Sequence, residues 1–181
     1  MSDAELAALV EGDVTDVAKR LIGATLSTMI DGVVTAVLLT EVEAYGGPGD
    51  PASHAARGRT DANAAMFGTA GTMYVYRSYG IHWCANIVVG GEGSASAVLL
   101  RGGDPITGIA VMERRRKRTK NLTDGPGKLC QALGITGDHN GTSLGDQIQI
   151  VPGPALGPVV ATPRIGITKA VDVPWRFSVL R

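Results

Sequence analysis

The order of apolar and polar positions predicts one short helix followed mainly by strands. In residues 13–22, Val14, Val17 and Leu21 form one helical stripe, with Asp13 placed to cap it and Gly23 to stop it. Two apolar runs, 24–30 and 33–40, flank Asp31-Gly32, a pair that tolerates positive φ and so predicts a tight hairpin. The second run continues through TEVEAY. Residues 47–62 (GPGDPASHAARGRTDA) are too polar and too rich in Gly and Pro for a packed element. Strands are predicted at 72–77, 84–89 and 95–101. Asp104-Pro105 predicts a cap with proline in the first turn, opening a helix into MERRRKRTK. GPGKLCQALGI predicts a second short helix stopped by Gly134, and strands near 147–151, 159–167 and 176–180 complete the chain. There is no repeat or linker. The expectation is a mixed α/β (α+β) single domain over 1–181, built on a largely antiparallel sheet with several helices around it. Residues 1–12 are expected to form a loosely attached N-terminal segment.

At 181 residues and 44% hydrophobic, the chain is long and apolar enough to bury its own core. Its start lacks a basic region followed by a long apolar run, and no stretch approaches the roughly 18 apolar residues of a membrane span. Cys84 and Cys130 give neither a disulfide framework nor metal-type spacing, so they are expected to be reduced thiols of an intracellular protein. Net charge is zero, which speaks against a generally basic nucleic-acid binder. The charges are segregated, however. Residues 1–50 hold nine acids against Lys19 and Arg20, whereas 51–120 hold ten basic residues against Asp61, Glu92, Asp104 and Glu113. A local basic face can steer a polyanion toward a neutral molecule.

The positive stretch also contains the aromatics. Six of the eight lie between Tyr45 and Trp83, four of them in MYVYRSYGIHW. Strand alternation puts Tyr74 and Tyr76 on one face, and Tyr79-Gly80 makes a turn that would present a ring at a protruding tip. Aromatics usually fill cores, but tyrosines mixed with Arg77, His82 and Trp83 suit a surface that is apolar on one side and wet on the other. In TEVEAY the same alternation sets Glu41, Glu43 and Tyr45 opposite Val42 and Ala44. That pattern fits either a solvated strand edge or the wall of a site. A carboxylate beside stacking rings and basic residues suits hydrolysis of an N-glycosidic bond, which needs an activated water and negative charge near a sugar cation.

These segments, TEVEAYGGPGDPASHA, MFGTAGTMYVYRSYGIHWCANI, VLLR, GPGKLCQAL and PRIGITKAVDVPWRF, closely resemble the alkyladenine (3-methyladenine) DNA glycosylases. The likeness runs from about residue 14 to the end, with the motifs in order. It implies a curved antiparallel sheet and a monofunctional enzyme without metal or organic cofactor. Such an enzyme would flip alkylated or deaminated purines from double-stranded DNA. By position, Glu43 corresponds to the general base for the attacking water, and Arg101 to an arginine that helps hold that water and a phosphate. Tyr45, His54 and Tyr76 correspond to the base pocket, two of their rings sandwiching the base. Asn86 corresponds to the asparagine that crowds the 2-amino group of guanine, and Tyr79 to the side chain inserted into the duplex. Ile165 would offer its main-chain carbonyl to the water. Arg77 and Lys128 are candidate phosphate contacts. The family often carries arginines around the segment that reads RTDANAAMF here, where Ala62 and Ala64 are small and neutral.

No lysine lies between residues 41 and 101, which fits attack by water rather than by an amine. The resemblance further implies a monomer with no membrane partner, cytoplasmic or nucleoid-associated in a bacterium and nuclear in a eukaryote. The residue types leave two rivals open: a non-catalytic binder that stacks bases, and a hydrolase of free nucleosides or sugars. They equally leave open a metal site made of Glu41, Glu43 and His54. On a helix, the basic run 113–120 would wrap around the axis, as a solvated helix end or as a phosphate contact.

Overall fold

A computed structural model describes residues 2–180; Met1 and Arg181, the ends of the expected domain, lie outside the described residues. The chain forms α1 (Asp3–Val10), α2 (Val14–Leu21), β1 (Thr25–Ile30), β2 (Val33–Gly46), β3 (Met73–Ser78), β4 (His82–Val89) and β5 (Ser96–Thr107). These are followed by α3 (Ile109–Arg116), α4 (Pro126–Leu133), β6 (Ile148–Val151), β7 (Val159–Thr162) and β8 (Arg176–Val179). All strand pairings are antiparallel, in the order β3-β4-β5-β2-β1-β6, with β8 on β2 and β7 on β8. The mixed α/β expectation around a curled antiparallel sheet is met.

Most of the local grammar is met as well. Asp13 caps α2 through the Thr15 N–H, and Val14, Val17, Ala18 and Leu21 bury the predicted stripe. Asp31 and Gly32 turn the β1–β2 hairpin at φ 56° and 70°, and Gly134 stops α4 at φ 79°. The N-terminal segment expected to hang loosely contains α1, capped by Ser2 and Glu5, with Leu9 and Val10 buried in the core. Arg20 of α2 ties it down by donating to the Ala8 and Glu11 carbonyls.

Three expectations are corrected. Asp104-Pro105 does not open a helix: both residues belong to β5, opposite Leu38 and Val37 of β2. Proline is tolerated there because the ladder bulges at the next residue, Ile106, which has no partner between Pro105 and Thr107. The helix starts later, at Ile109, from Gly108 in a left-handed conformation. It also ends at Arg116, so residues 117–120 do not wrap a helix. Arg115 and Arg116 turn inward to the Ala132 carbonyl and the Gln131 side chain, while Arg114, Lys117, Arg118 and Lys120 are exposed. Finally, β7 stops at Thr162, and residues 163–167 leave the sheet.

The sheet separates two layers. On one face α2 and α4 pack on Val42, Ala44, Val75, Ile87, Val98 and Leu100 to make the main core. On the other, Ala55, Met66, Tyr74, Val88, Ala95 and Ala97 form a smaller cluster beneath the 47–68 segment, with Tyr76 against it. β2 carries the curvature. Its first half pairs with β1, and residues 41–43 pair with β8 instead. Between them the β2–β5 ladder slips twice: Thr40 is extra on β2, and Arg101 is extra on β5. Gly103 permits this crowding, since a Cβ there would lie 2.7 Å from the Leu38 carbonyl oxygen and 2.8 Å from Val37. We expect Gly103→Ala to destabilise the protein by about 1–3 kcal/mol, seen as a lower urea midpoint at unchanged slope.

Candidate active site

Alternation along β2 sends Val42 and Ala44 into the main core and Glu41, Glu43 and Tyr45 to the opposite face. Glu43 has no exposed surface. Its Oε2 accepts the Tyr45 hydroxyl at 2.9 Å, and its Oε1 accepts the Ile165 backbone N–H at 2.8 Å. One Arg101 Nη lies 3.3 Å from the same Oε1. Arg101 is itself braced by Glu41, whose Oε1 accepts from Nε at 2.8 Å and stands 3.3 Å from Nε of Arg176. Burial opposes the Arg101 charge, but Glu43 and Glu41 outweigh it and hold the guanidinium above its ordinary pKa.

In front of this network lies a cavity of about 660 Å³. Tyr45, His54, Tyr76, Asn86, Tyr79, Arg77, Arg101 and Ile165 all line it, so eight of the ten residues singled out from the sequence meet at one place. Glu43 is directly behind the wall made by Tyr45, Arg101 and Ile165 rather than on its surface. Lys128 is not part of the wall; it pairs with Asp124 at 3.1 Å in the first turn of α4, whose Pro126 does reach the rim. Ile165 reaches Glu43 through its backbone N–H, a contact the resemblance did not imply. Glu41, Glu43 and His54 do not make a metal-type cluster, and no other group of three such ligands occurs among the described residues.

The pocket is built of neutral rings. Tyr74 and Tyr76 stack at 5.4 Å and 27°, and the His54 ring meets Tyr76 edge-on at 4.5 Å. His54 Nδ1 shares a 2.8 Å hydrogen bond with the Tyr74 hydroxyl. The imidazole is open to the cavity on one side, and loss of water on the other holds it below its ordinary 6.5. Burial pushes Tyr74 up to about 12 and raises Tyr76 as well; burial and the neighbouring Glu43 raise Tyr45. Tyr45 makes no ring contact with Tyr76 or His54 among the described residues. Asn86 is buried, and its amide donates to the Tyr74 carbonyl, which fixes the plane it presents. At the rim, Tyr79 occupies the β3–β4 turn at φ 49° and is 88% exposed, with Ile81 beside it at 67%. Arg77 lies over the Trp83 ring at 5.4 Å.

Several contributors were not foreseen. Tyr74 shares the strand face of Tyr76, so its place was legible in YVY although its bond to His54 was not. Asn63, in the segment where Ala62 is exposed, pins the His54 loop by donating to the His54 and Gly58 carbonyls. Lys169 reaches the cavity wall from the segment after Ile165. Arg164 is buried beneath Tyr45, 4.7 Å from its ring and 5.3 Å from that of Trp175. It donates to the Ala44 carbonyl and bidentately to Asp50, which also accepts the Gly46 and Ala52 N–H groups. Burial opposes the Asp50 charge, yet Arg164 and the N–H donors outweigh it and keep the carboxyl below its ordinary 3.8. This pair, 114 residues apart in sequence, fastens the pocket loop to the tail.

A family model described as methylpurine-DNA glycosylase matches residues 8–181. A protein of Methanoculleus marisnigri is 50% identical over 179 residues, covering 94% of this chain and 92% of its own length. Others from Rhodopseudomonas palustris and Agrobacterium fabrum are each 50% identical, covering 91% and 92% of this chain and 82% and 83% of their own. All three are named, provisionally, as 3-methyladenine DNA glycosylases.

The buried Asp50–Arg164 pair sets a stability expectation with a definite sign. Because the folded Asp50 pKa is depressed, its contribution is complete above the unfolded value near 3.8 and is lost as pH falls through the folded value. Asp50→Asn should cost about 3–5 kcal/mol near neutral pH, since it leaves a buried guanidinium without its counter-charge. In urea unfolding followed from neutral pH into the acid range, the gap to the wild type should narrow only below the ordinary carboxylate range.

Proposed function

The chain belongs to the methylpurine-DNA glycosylase family, a DNA-repair enzyme that hydrolyses N-glycosidic bonds, and on that premise we propose how its residues perform the reaction. The substrate is a duplex carrying an alkylated or deaminated purine. The damaged nucleotide is extruded into the ring-lined cavity, and its base is released by a water that Glu43 activates, which begins base excision repair.

The observation that carries this reading is the carboxylate of Glu43 held directly behind Tyr45, Arg101 and Ile165, all of which line the cavity. A carboxylate oxygen can accept more than one hydrogen bond. Oε2 takes the Tyr45 hydroxyl and has a lone pair left for a water, which would lie between it and C1′ of the extruded sugar. Entry of the nucleotide must part the wall enough to admit that water. Glu43 then accepts the proton as the oxygen attacks, and its negative charge favours the sugar cation as the base departs.

The surroundings suit such a base. Alkylation at N3 or N7 makes a purine cationic, which improves it as a leaving group and attracts it to electron-rich rings. Neutral His54 and neutral phenols oppose no positive charge at that point. Tyr45 and Tyr76 are proposed to hold the base between them, His54 to hydrogen-bond to it, and Asn86 to crowd the 2-amino group of guanine. Tyr79, at the exposed tip, would fill the gap left in the duplex, while Arg77 would meet flanking phosphate. The chain is expected to act as a monomer.

The test uses duplexes carrying a single hypoxanthine, ethenoadenine or methylated purine, incubated with the protein and treated with alkali to cut abasic sites. Strand scission only after alkali is expected. Glu43→Gln should keep its affinity for the lesion duplex while single-turnover base release falls by at least about 10²–10⁴; release near the wild-type rate would remove Glu43 from the role. Tyr79→Ala should weaken lesion-duplex binding by about 1–3 kcal/mol, the scale of one lost stacking contact. Unchanged affinity in a titration would show that the tip ring is not a wedge.

A further inference from the structure

Glu43 is one of two acids on this face of β2. Glu41 lies outside the lesion cavity. It lines a separate cleft of about 530 Å³ with Thr40, Gly102, Thr123 and Arg176, between β2, β5, β8 and the 119–124 loop. From there its carboxylate grips the Nε edge of Arg101 at 2.8 Å, and the other end of that guanidinium points back to Glu43 at 3.3 Å. The bulge at Arg101 makes this possible, because the extra residue on β5 falls between the partners of Glu41 and Val42.

We propose that Glu41 is a positioning residue that acts through Arg101, holding the guanidinium off Glu43 so that the Glu43 carboxylate stays open to water. This rests on Glu43 being the general base. A guanidinium prefers to engage a carboxylate with two parallel bonds. The Arg101–Glu43 contact is single and long, whereas the Arg101–Glu41 contact is short. Were Glu41 neutral, Arg101 would be free to swing fully onto Glu43, tie up its lone pairs and lower its basicity. The titratable groups around Glu43 are few, and the Arg164–Asp50 pair stands behind Tyr45. Glu41 and Tyr45 come from its own strand, Arg101 from β5 and Arg176 from β8, paired in register with Glu43 itself; Tyr76 and Cys84 approach from β3 and β4. Arg176 draws on the same Glu41 oxygen as Arg101, so it competes for that grip.

Opposite signs at the two ends of this chain of charges make the test. Single-turnover base release from the lesion duplexes described above is followed across pH for the wild type, Glu41→Gln, Glu41→Asp and Arg176→Gln, together with duplex affinity and thermal unfolding. Glu41→Gln should slow release about 10- to 100-fold near neutral pH, as a misplaced catalytic contact does, with lesion affinity unchanged. Its acid limb should move to lower pH by about half a unit or more. Arg176→Gln should move the limb to higher pH, and Glu41→Asp, which keeps the charge, should recover part of the rate. Loss of affinity or stability in the variants without movement of the acid limb would reduce Glu41 to a structural pair and overturn the proposal. So would a Glu41→Gln protein with an unaltered rate and profile. If Glu41→Gln does not fold, an unmoved limb in Arg176→Gln overturns it equally. A wild type that releases base from none of the duplexes overturns this inference and the glycosylase mechanism together, whereas an active wild type inactivated by Glu43→Gln but indifferent to Glu41→Gln overturns this inference alone.

Discussion

Taking a carboxylate out of water costs several kcal/mol unless charge and hydrogen bonds replace the lost solvent. Glu43 is fully enclosed at the middle of the sheet, and much of the surrounding architecture supplies that replacement. A phenol comes from two residues along the same strand, a guanidinium from the neighbouring strand, and a backbone N–H from the tail 122 residues away. Each of these three also forms cavity wall. The groups that make the buried charge tolerable are therefore the ones that close it off from the cavity, and the sheet and the tail must both be in place before this arrangement exists.

The sheet meets this demand by irregularity. A regular β2–β5 ladder would continue one-to-one pairing past Glu41; instead Thr40 and Arg101 are each left without a partner within two residues of one another. Bulges bend a strand and re-aim side chains, and they are frequent beside active sites. Here the bend lets β2 exchange β1 for β8 on one edge, which brings Arg176 to Glu41. It also puts the Arg101 guanidinium between two acids instead of opposite one. Gly103 follows because the slipped strands approach too closely there for a side chain, as the 2.7 Å distance to the Leu38 carbonyl oxygen makes plain.

What the sequence made legible was whatever depends on near neighbours. The Asp31-Gly32 turn, the Asp13 cap, the stop at Gly134 and the two faces of TEVEAY all rest on local backbone preference or on a two-residue period. The exposed ring at Tyr79 belongs to the same group, since a turn between paired strands must protrude. The failures share an opposite cause. Asp104-Pro105 has every local mark of a helix start, yet a bulge at Ile106 on the same strand lets β2 accept it as ladder. The role of Arg164 depends on Asp50, far off in sequence, and no motif links them. The resemblance to a known family placed Glu43 among the reacting groups, but neither it nor the pattern foretold that the carboxylate would sit wholly behind the pocket wall. Enclosure arises when two distant segments, β5 and the tail, close around a carboxylate on β2.

Zero net charge, which first argued against a DNA-binding protein, takes another meaning once the charges are located. Asp3, Glu5, Glu11, Asp13 and Asp16 belong to α1, α2 and their junction, on the layer packed against the core face of the sheet. The cavity rim on the other layer carries Arg77 and Lys169, both exposed. At physiological ionic strength the field of such charges fades within about 8 Å, so the acids on the helix layer scarcely oppose a duplex at the rim. A strongly basic surface would strengthen binding to every stretch of DNA alike, because phosphate contacts carry no information about the base. Whatever the phosphate contacts contribute, discrimination between bases must come from what happens at the pocket itself. A damaged purine that pairs weakly leaves the stack at less cost than a sound one, and that difference weighs most where the uniform electrostatic attraction is small. On the reading proposed above, the neutral rings of the cavity and the exposed ring of Tyr79 are the places where that difference would be read.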